Sequence, residues 1–179
     1  MHSRQTVRDN VYNMLNGNVT VAAVAVPVYK SRAIPFWEMQ LPAIAVYTLQ
    51  ETSDHEETAP REYKRMLSLA IQILVSEKAG QVIDNVIDDI ALQVENILFK
   101  DTWLNNAADD SALVSTTINH IERGDRLFWA ANLQWDIEYR TWAPPVDETL
   151  AALELANNTI GINGSSINVI PASVDGFQS

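Results

Sequence analysis

Three histidines and a set of carboxylates are the side chains of this chain best suited to chemistry. His2 lies in the polar start, His55 in an acidic stretch and His120 in a run of strand character. None is paired at the i, i+4 spacing of a helical metal site, and no HExxH occurs. His120 and Glu122 share a strand face, which a solvated polar face explains as well as a metal site does. Asp54, His55, Glu56 and Glu57 could hold a cation between them, or simply form a hydrated acidic loop. Asp84 and Asp88 are four apart in a helical pattern, with Asp89 beside them. That places two carboxylates on one face, as paired acid–base work requires. Asp84 also falls near the helix start, where a negative charge suits the macrodipole.

Other kinds of chemistry find no motif. There is no GxGxxG, no GxxxxGK[ST] and no GxSxG, so no phosphate cradle or nucleophile elbow is recognisable. There is no cysteine, which excludes disulfides, thiolate metal sites and cysteine nucleophiles. Acids outnumber Lys and Arg by 23 to 12, a net charge of -11, the reverse of a basic phosphate-binding face. The expectation is no enzyme, no cofactor and no metal.

Aromatic residues raise a different possibility. Trp129 and Trp135 alternate with apolar residues and belong to a core. Phe36, Trp37 and Trp103 fall in loops and suit a subunit interface, where large aromatics are enriched.

These residues must be carried by a small set of elements. Val7, Val11, Met14 and Leu15 make one face of a helix over residues 4–15, with Ser3 as its N-cap and Gly17 beyond its end. Residues 19–29 read as one extended, valine-rich segment, and 30–42 as a loop with two prolines. Residues 43–49 read as a short strand, and Gln50–Pro60 as an acidic loop. Leu67, Leu69, Ile71, Ile73 and Val75 alternate with polar residues and predict a long strand over 63–75. Ile83, Val86, Ile87, Ile90, Val94, Ile97 and Leu98 predict a helix over 79–99. Residues 100–112 read as a polar loop. A hairpin over 113–122 and 127–141 follows, turning at Arg123-Gly124-Asp125-Arg126. Leu127, Trp129, Ala131, Leu133, Trp135, Ile137 and Tyr139 share one face of its second arm.

The predicted architecture is α+β: a mainly antiparallel or mixed sheet flanked by two helices, in one domain over 1–145. Residues 146–179 read as a partly irregular extension. From 141 onward there is no Lys or Arg, and the stretch 159–179 is rich in Gly, Ser and Asn. Residues 1–10 lack the apolar core of a signal peptide, and 19–28 is shorter than the roughly 20 residues of a membrane span. The expectation is an intracellular soluble protein with no membrane contact.

The order of features resembles the tail terminator proteins of long-tailed bacteriophages, the family of the lambda minor tail protein U. Residues 4–142 carry the resemblance: RDNVYNMLNG in the first helix, LPAIAVYTLQET, REYKRMLSLAIQILV, the acid-studded QVIDNVIDDIALQVENILF, and DIEYRTW closing the hairpin. The stretch after Pro145 departs from the short ending of that family. The resemblance implies a virion protein, assembled in the host cytoplasm and placed at the head–tail junction. It implies a homo-oligomeric ring, typically of six subunits, that stops tail-tube polymerisation. The tail tube protein and a neck or head-completion protein would be its partners, and DNA would pass through the lumen without specific binding.

On that footing the interface candidates are Phe36, Trp37, Glu51, Asp54, Glu56, Glu57, Arg61, Trp103, Arg123 and Arg126, from the loops and the main basic clusters. Lys64 and Arg65 belong to those clusters and are read as partners for a neighbouring subunit's acids. The alternatives are another neck component such as a stopper, a tail tube subunit, or, more remotely, a metal-assisted hydrolase built on Asp84, Asp88 or the 54–57 stretch.

Overall fold

The computed structural model describes residues 2–31, 40–55, 60–76, 82–123 and 126–143, with backbone only at 120–123 and 126–127. A compact unit ends at Ala143; the predicted extension, with Phe36, Trp37, Glu56 and Glu57, lies outside the described residues. The unit is α+β. Its elements are α1 (Ser3–Leu15), β1 (Thr20–Val21), β2 (Val24–Ala25), β3 (Val28–Lys30), β4 (Ala43–His55), β5 (Glu62–Ser76), α2 (Ile83–Phe99), β6 (Asp110–Arg123) and β7 (Arg126–Trp142).

The long strands form one mixed sheet in the order β3-β4-β5-β7-β6, in which only β3 and β4 run parallel. Period-2 alternation on β5 and β7 explains its centre. Leu67, Leu69, Ile71 and Ile73 stand opposite Ile137, Trp135, Leu133 and Ala131. All eight are almost fully buried. Both helices pack on that face, α1 mainly over β3 and β4, α2 over β5 and β7. Val7, Val11 and Leu15 of α1 and Ile87, Ile90, Val94 and Leu98 of α2 complete the core. At about 1.5–3 kcal/mol for each large apolar side chain removed from water, this layer dominates the stability of the unit.

Four local expectations are corrected. The cap of α1 is His2, not Ser3: its Nδ1 accepts from the Arg4 amide at 3.3 Å while Gln5 Oε1 accepts from the His2 amide at 3.2 Å. Residues 19–29 are not one strand. Ala22 and Ala23 take left-handed conformations, φ 48° and 64°, and fold β1 onto β2 as a tight hairpin. Gln93 of α2 holds that hairpin through a reciprocal pair: Thr20 N–H donates to its Oε1, and its Nε2 donates to Thr20 C=O, both at 2.9 Å.

The third correction concerns the acidic loop. β4 continues to His55, so Glu51 and Asp54 are strand residues. The extra length stays paired with β5 because of a β-bulge at Leu49. Before it, Ile44, Val46 and Thr48 face the helices; after it, Glu51 and Ser53 do. The fourth is that β6 begins at Asp110, taking in the last three residues of the predicted 100–112 loop, and carries its own bulge at Val114.

Candidate functional site

Two sites stand out, one polar and one aromatic. The polar site lies on the helix-side face where the apolar core ends. Beyond Leu67 and Ile137 the next residues of that face are Arg65, Tyr139 and, through the Leu49 bulge, Glu51. The Glu51 carboxylate accepts from Arg65 Nη1 and, at 2.9 Å, from the Tyr139 hydroxyl. Arg65 Nε donates to Thr141 Oγ1 at 2.7 Å, and Arg4 of α1 reaches to 3.9 Å of Glu51. The Glu51 side chain is 11% exposed. Burial pushes its pKa up, but the hydrogen bonds from Tyr139 and Arg65 and the Arg65 charge outweigh this and hold it below the usual carboxylate range. Burial and the hydrogen bond to Glu51 raise Tyr139, so it stays a neutral donor.

Glu51 and Arg65, expected to meet a neighbouring subunit, are bonded to each other inside one chain. Lys64, on the opposite face, is also engaged, with Glu138 at 2.8 Å. The group fastens the N-terminal turn of α1 to three strands. Its hydrogen bonds and ion pair, joining three strands and α1, make it a structural latch.

The aromatic site is the turn after α2. Asp101 organises it: Oδ1 accepts from the Trp103 amide at 3.2 Å and Oδ2 from the Asn105 amide at 2.8 Å. Trp103 C=O accepts from the amides of Ala107 and Ala108, both at 3.0 Å. Leu104, Asn105 and Asn106 are all left-handed, φ 50°, 55° and 62°. Asn accepts that conformation readily; Leu does so at a cost of roughly 1–2 kcal/mol. The Leu104 side chain is fully buried, and its carbonyl accepts from Asn10 Nδ2 of α1 at 2.8 Å. The outcome is a fixed turn that presents Trp103 to solvent at 62% exposure. Two further apolar side chains, Leu92 and Phe99, are exposed two turns apart on one flank of α2. Phe99 lies 5.2 Å, ring to ring, from the buried Trp135.

The remaining candidates are dispersed. Asp54 is exposed at the end of β4, where its carboxylate accepts from the His55 amide at 2.9 Å. Asp84, Asp88 and Asp89 are exposed on α2. Among the described residues no three His, Asp or Glu side chains gather as a metal site would need. Arg61 is exposed, and its carbonyl accepts from Ala143 N–H at 2.8 Å. Arg123 and Arg126 are backbone register partners at the inner end of the β6–β7 turn. A cavity of about 360 Å³ lies between the β1–β2 hairpin, the Leu41-Pro42 pair and the first turn of α2. Val21, Val24, Leu41, Val75 and Val86 are among its lining residues, and none of the described lining residues is charged. No helix among the described residues is long and apolar enough to cross a membrane.

The latch was hidden from sequence reasoning because the bulge at Leu49 reverses the parity of β4. Arg65 gave a partial signal, a charged residue in phase with Leu67 and Leu69 on a core face. Trp103 was visible as an aromatic in a polar loop, although its rigid presentation was not. The chain matches no known family model and no curated protein.

Proposed function

We propose that this protein is a structural virion protein that ends the tail tube of a long-tailed phage. It forms a ring, six subunits by the family pattern, on the last ring of the tube, stops further polymerisation and offers the surface on which the head connector docks. The resemblance of residues 4–142 motivates the reading. The observation that carries it is the turn at Trp103, where backbone strain is spent on holding a tryptophan in water. A tryptophan held rigidly at the surface suits a subunit that must grip a neighbour, because contact surfaces are enriched in Trp.

The body fits the task in two further ways. A helix-backed sheet is rigid, and loops on a rigid scaffold make repeatable heterologous contacts, which close into a ring when the rotation between copies allows. A net charge of -11 keeps phosphate from adhering to a lumen through which DNA slides.

The test is tube growth in vitro. Purified tube protein is polymerised with and without this protein, and gold-labelled copies are located by electron microscopy. The proposal expects label at one end only and arrested length. Label along the whole tube would make the chain a tube subunit. Absence of label, with tube length unaffected, would place it on the head side of the neck or outside the particle.

A further inference from the structure

Leu92 is an apolar side chain set among acids on the outward flank of α2. It is 57% exposed. Its four neighbours on the helix surface, three and four positions away, are Asp88, Asp89, Glu95 and Asn96. α2 holds no Lys or Arg. Among the described residues none of these three carboxylates takes part in an ion pair. A single exposed leucine is ordinary on a protein surface, but this one is continued on two sides. On one side a hollow of about 220 Å³ opens between α2 and the β1–β2 hairpin. Leu92, Val21, Ala22 and Val86 supply its apolar lining, and Asp89 is the one charged residue among its described lining residues. Gln93 also lines it, but both ends of its amide are bonded to the Thr20 backbone. On the other side Phe99, 51% exposed, lies two turns along the same flank.

We infer that this flank docks a basic amphipathic helix of a different protein, with the stem of an arginine or lysine in the hollow and its charged head on Asp89. Three features select that occupant. The first is spacing. Leu92 and Phe99 are seven residues apart, about 10 Å along the helix axis. Residues i and i+7 of a partner helix repeat that distance on one face, whereas same-face residues of a strand fall about 7 or 13 Å apart. The second is the hollow. An apolar lining with one carboxylate beside it matches a side chain that is apolar along its stem and cationic at its tip.

The third is charge. A flank with carboxylates and no cation turns away nucleic acid and anionic lipid, and favours a basic protein segment. A second copy of this chain supplies little base. The chain has 23 acids against 12 Lys and Arg, and Arg4, Lys30, Lys64, Arg65 and Arg140 are already paired with its own acids. The mode is an amphipathic helix laid against an apolar strip, its cations meeting the acids alongside. The site involves neither the turn at Trp103 nor a ring, so its failure and that of the tail-tube reading are distinguishable.

The experiment is fluorescence anisotropy of a labelled synthetic helical peptide titrated with the full chain. The peptide has two leucines seven positions apart, with arginines three and four positions to either side of each. A dissociation constant on the order of 10–100 µM is expected, rising with salt. Leu92→Ser, and separately Asp88→Asn with Asp89→Asn, should each raise it at least ten-fold while leaving the melting temperature unchanged, as surface substitutions do. A peptide with both leucines replaced by serine controls for mere attraction to an acidic protein and should bind at least ten-fold more weakly. No binding at about 1 mM overturns the inference. So does equal binding of the serine peptide, or affinity unmoved by either variant. Sedimentation equilibrium of the full chain tests the rival occupant: self-association at about 100 µM that Leu92→Ser abolishes would assign the flank to a second copy and overturn the inference as well.

Discussion

Replacing Glu51 by Gln tests whether the latch works as its geometry says. The carboxylate receives two hydrogen bonds, one from Arg65 and one from the Tyr139 hydroxyl. Hydrogen bonds to a charged group contribute about 1.5–3 kcal/mol each. Gln keeps one carbonyl oxygen and can still accept one of the two, so the expected loss is about 2 kcal/mol at pH 7. For a chain of this size that is a fall in melting temperature of about 4–8 °C. The sign with pH follows from the depressed pKa. The carboxylate's contribution is fully present above its ordinary value of 4.5 and disappears as the pH falls through the lower folded value. The assay is a pair of thermal melts, wild type and Glu51→Gln, at pH 7 and at progressively lower pH. The two curves should be separated at neutral pH and converge in acid, since other acids titrate equally in both proteins. A separation that does not narrow at all as the pH falls from the ordinary carboxylate range into strong acid, or none at pH 7, would refute the assignment of Glu51 as the charged centre of the latch.

Three further outcomes are expected. Trp103→Ala should change unfolding free energy by less than about 0.5 kcal/mol, as an exposed side chain does, yet weaken assembly by at least about 2 kcal/mol, roughly 30-fold; melts and tube-end binding measure the two separately. Replacing Ala22-Ala23 by Asn-Gly should stabilise the protein by about 1–2 kcal/mol, because both positions are left-handed and Asn-Gly is the pair that favours this turn; denaturant midpoints check it. Leu133→Ala should cost about 2–5 kcal/mol, as it opens a cavity in the fully buried centre of β7; urea unfolding should show a lower midpoint with an unchanged slope.

The parts of the fold that could be read from the sequence are those governed by a single uninterrupted period. β5 and β7 alternate without a break, and α2 keeps its stripe from Ile83 to Leu98, so all three stand within a few residues of their predicted places. The parts that could not be read depend on a one-residue irregularity or on a residue type that conceals its conformation. Ala22-Ala23 carries none of the Asn or Gly that marks a tight hairpin, and a continuous valine-rich run hides the turn. The bulge at Leu49 has no compositional sign, so the polar residues beyond it look like a loop although they remain paired. Gln93 lies off the apolar stripe of α2 and so looks like a solvent residue, but it satisfies both backbone groups of Thr20. The candidate site divides in the same way. Trp103 was legible because an aromatic in a polar loop breaks the local pattern. The latch was not, because Glu51, Arg65 and Tyr139 are far apart in the chain and meet only through strand register.

Electron microscopy of lysates from a phage with an early stop codon in this gene tests most directly the proposal that this chain ends the tail tube. Overlong or ragged tails, detached from filled heads, are the predicted result. Tails of normal length that fail only to join heads would move the protein to the head side of the neck, and tails of normal length joined to heads would contradict the claim outright.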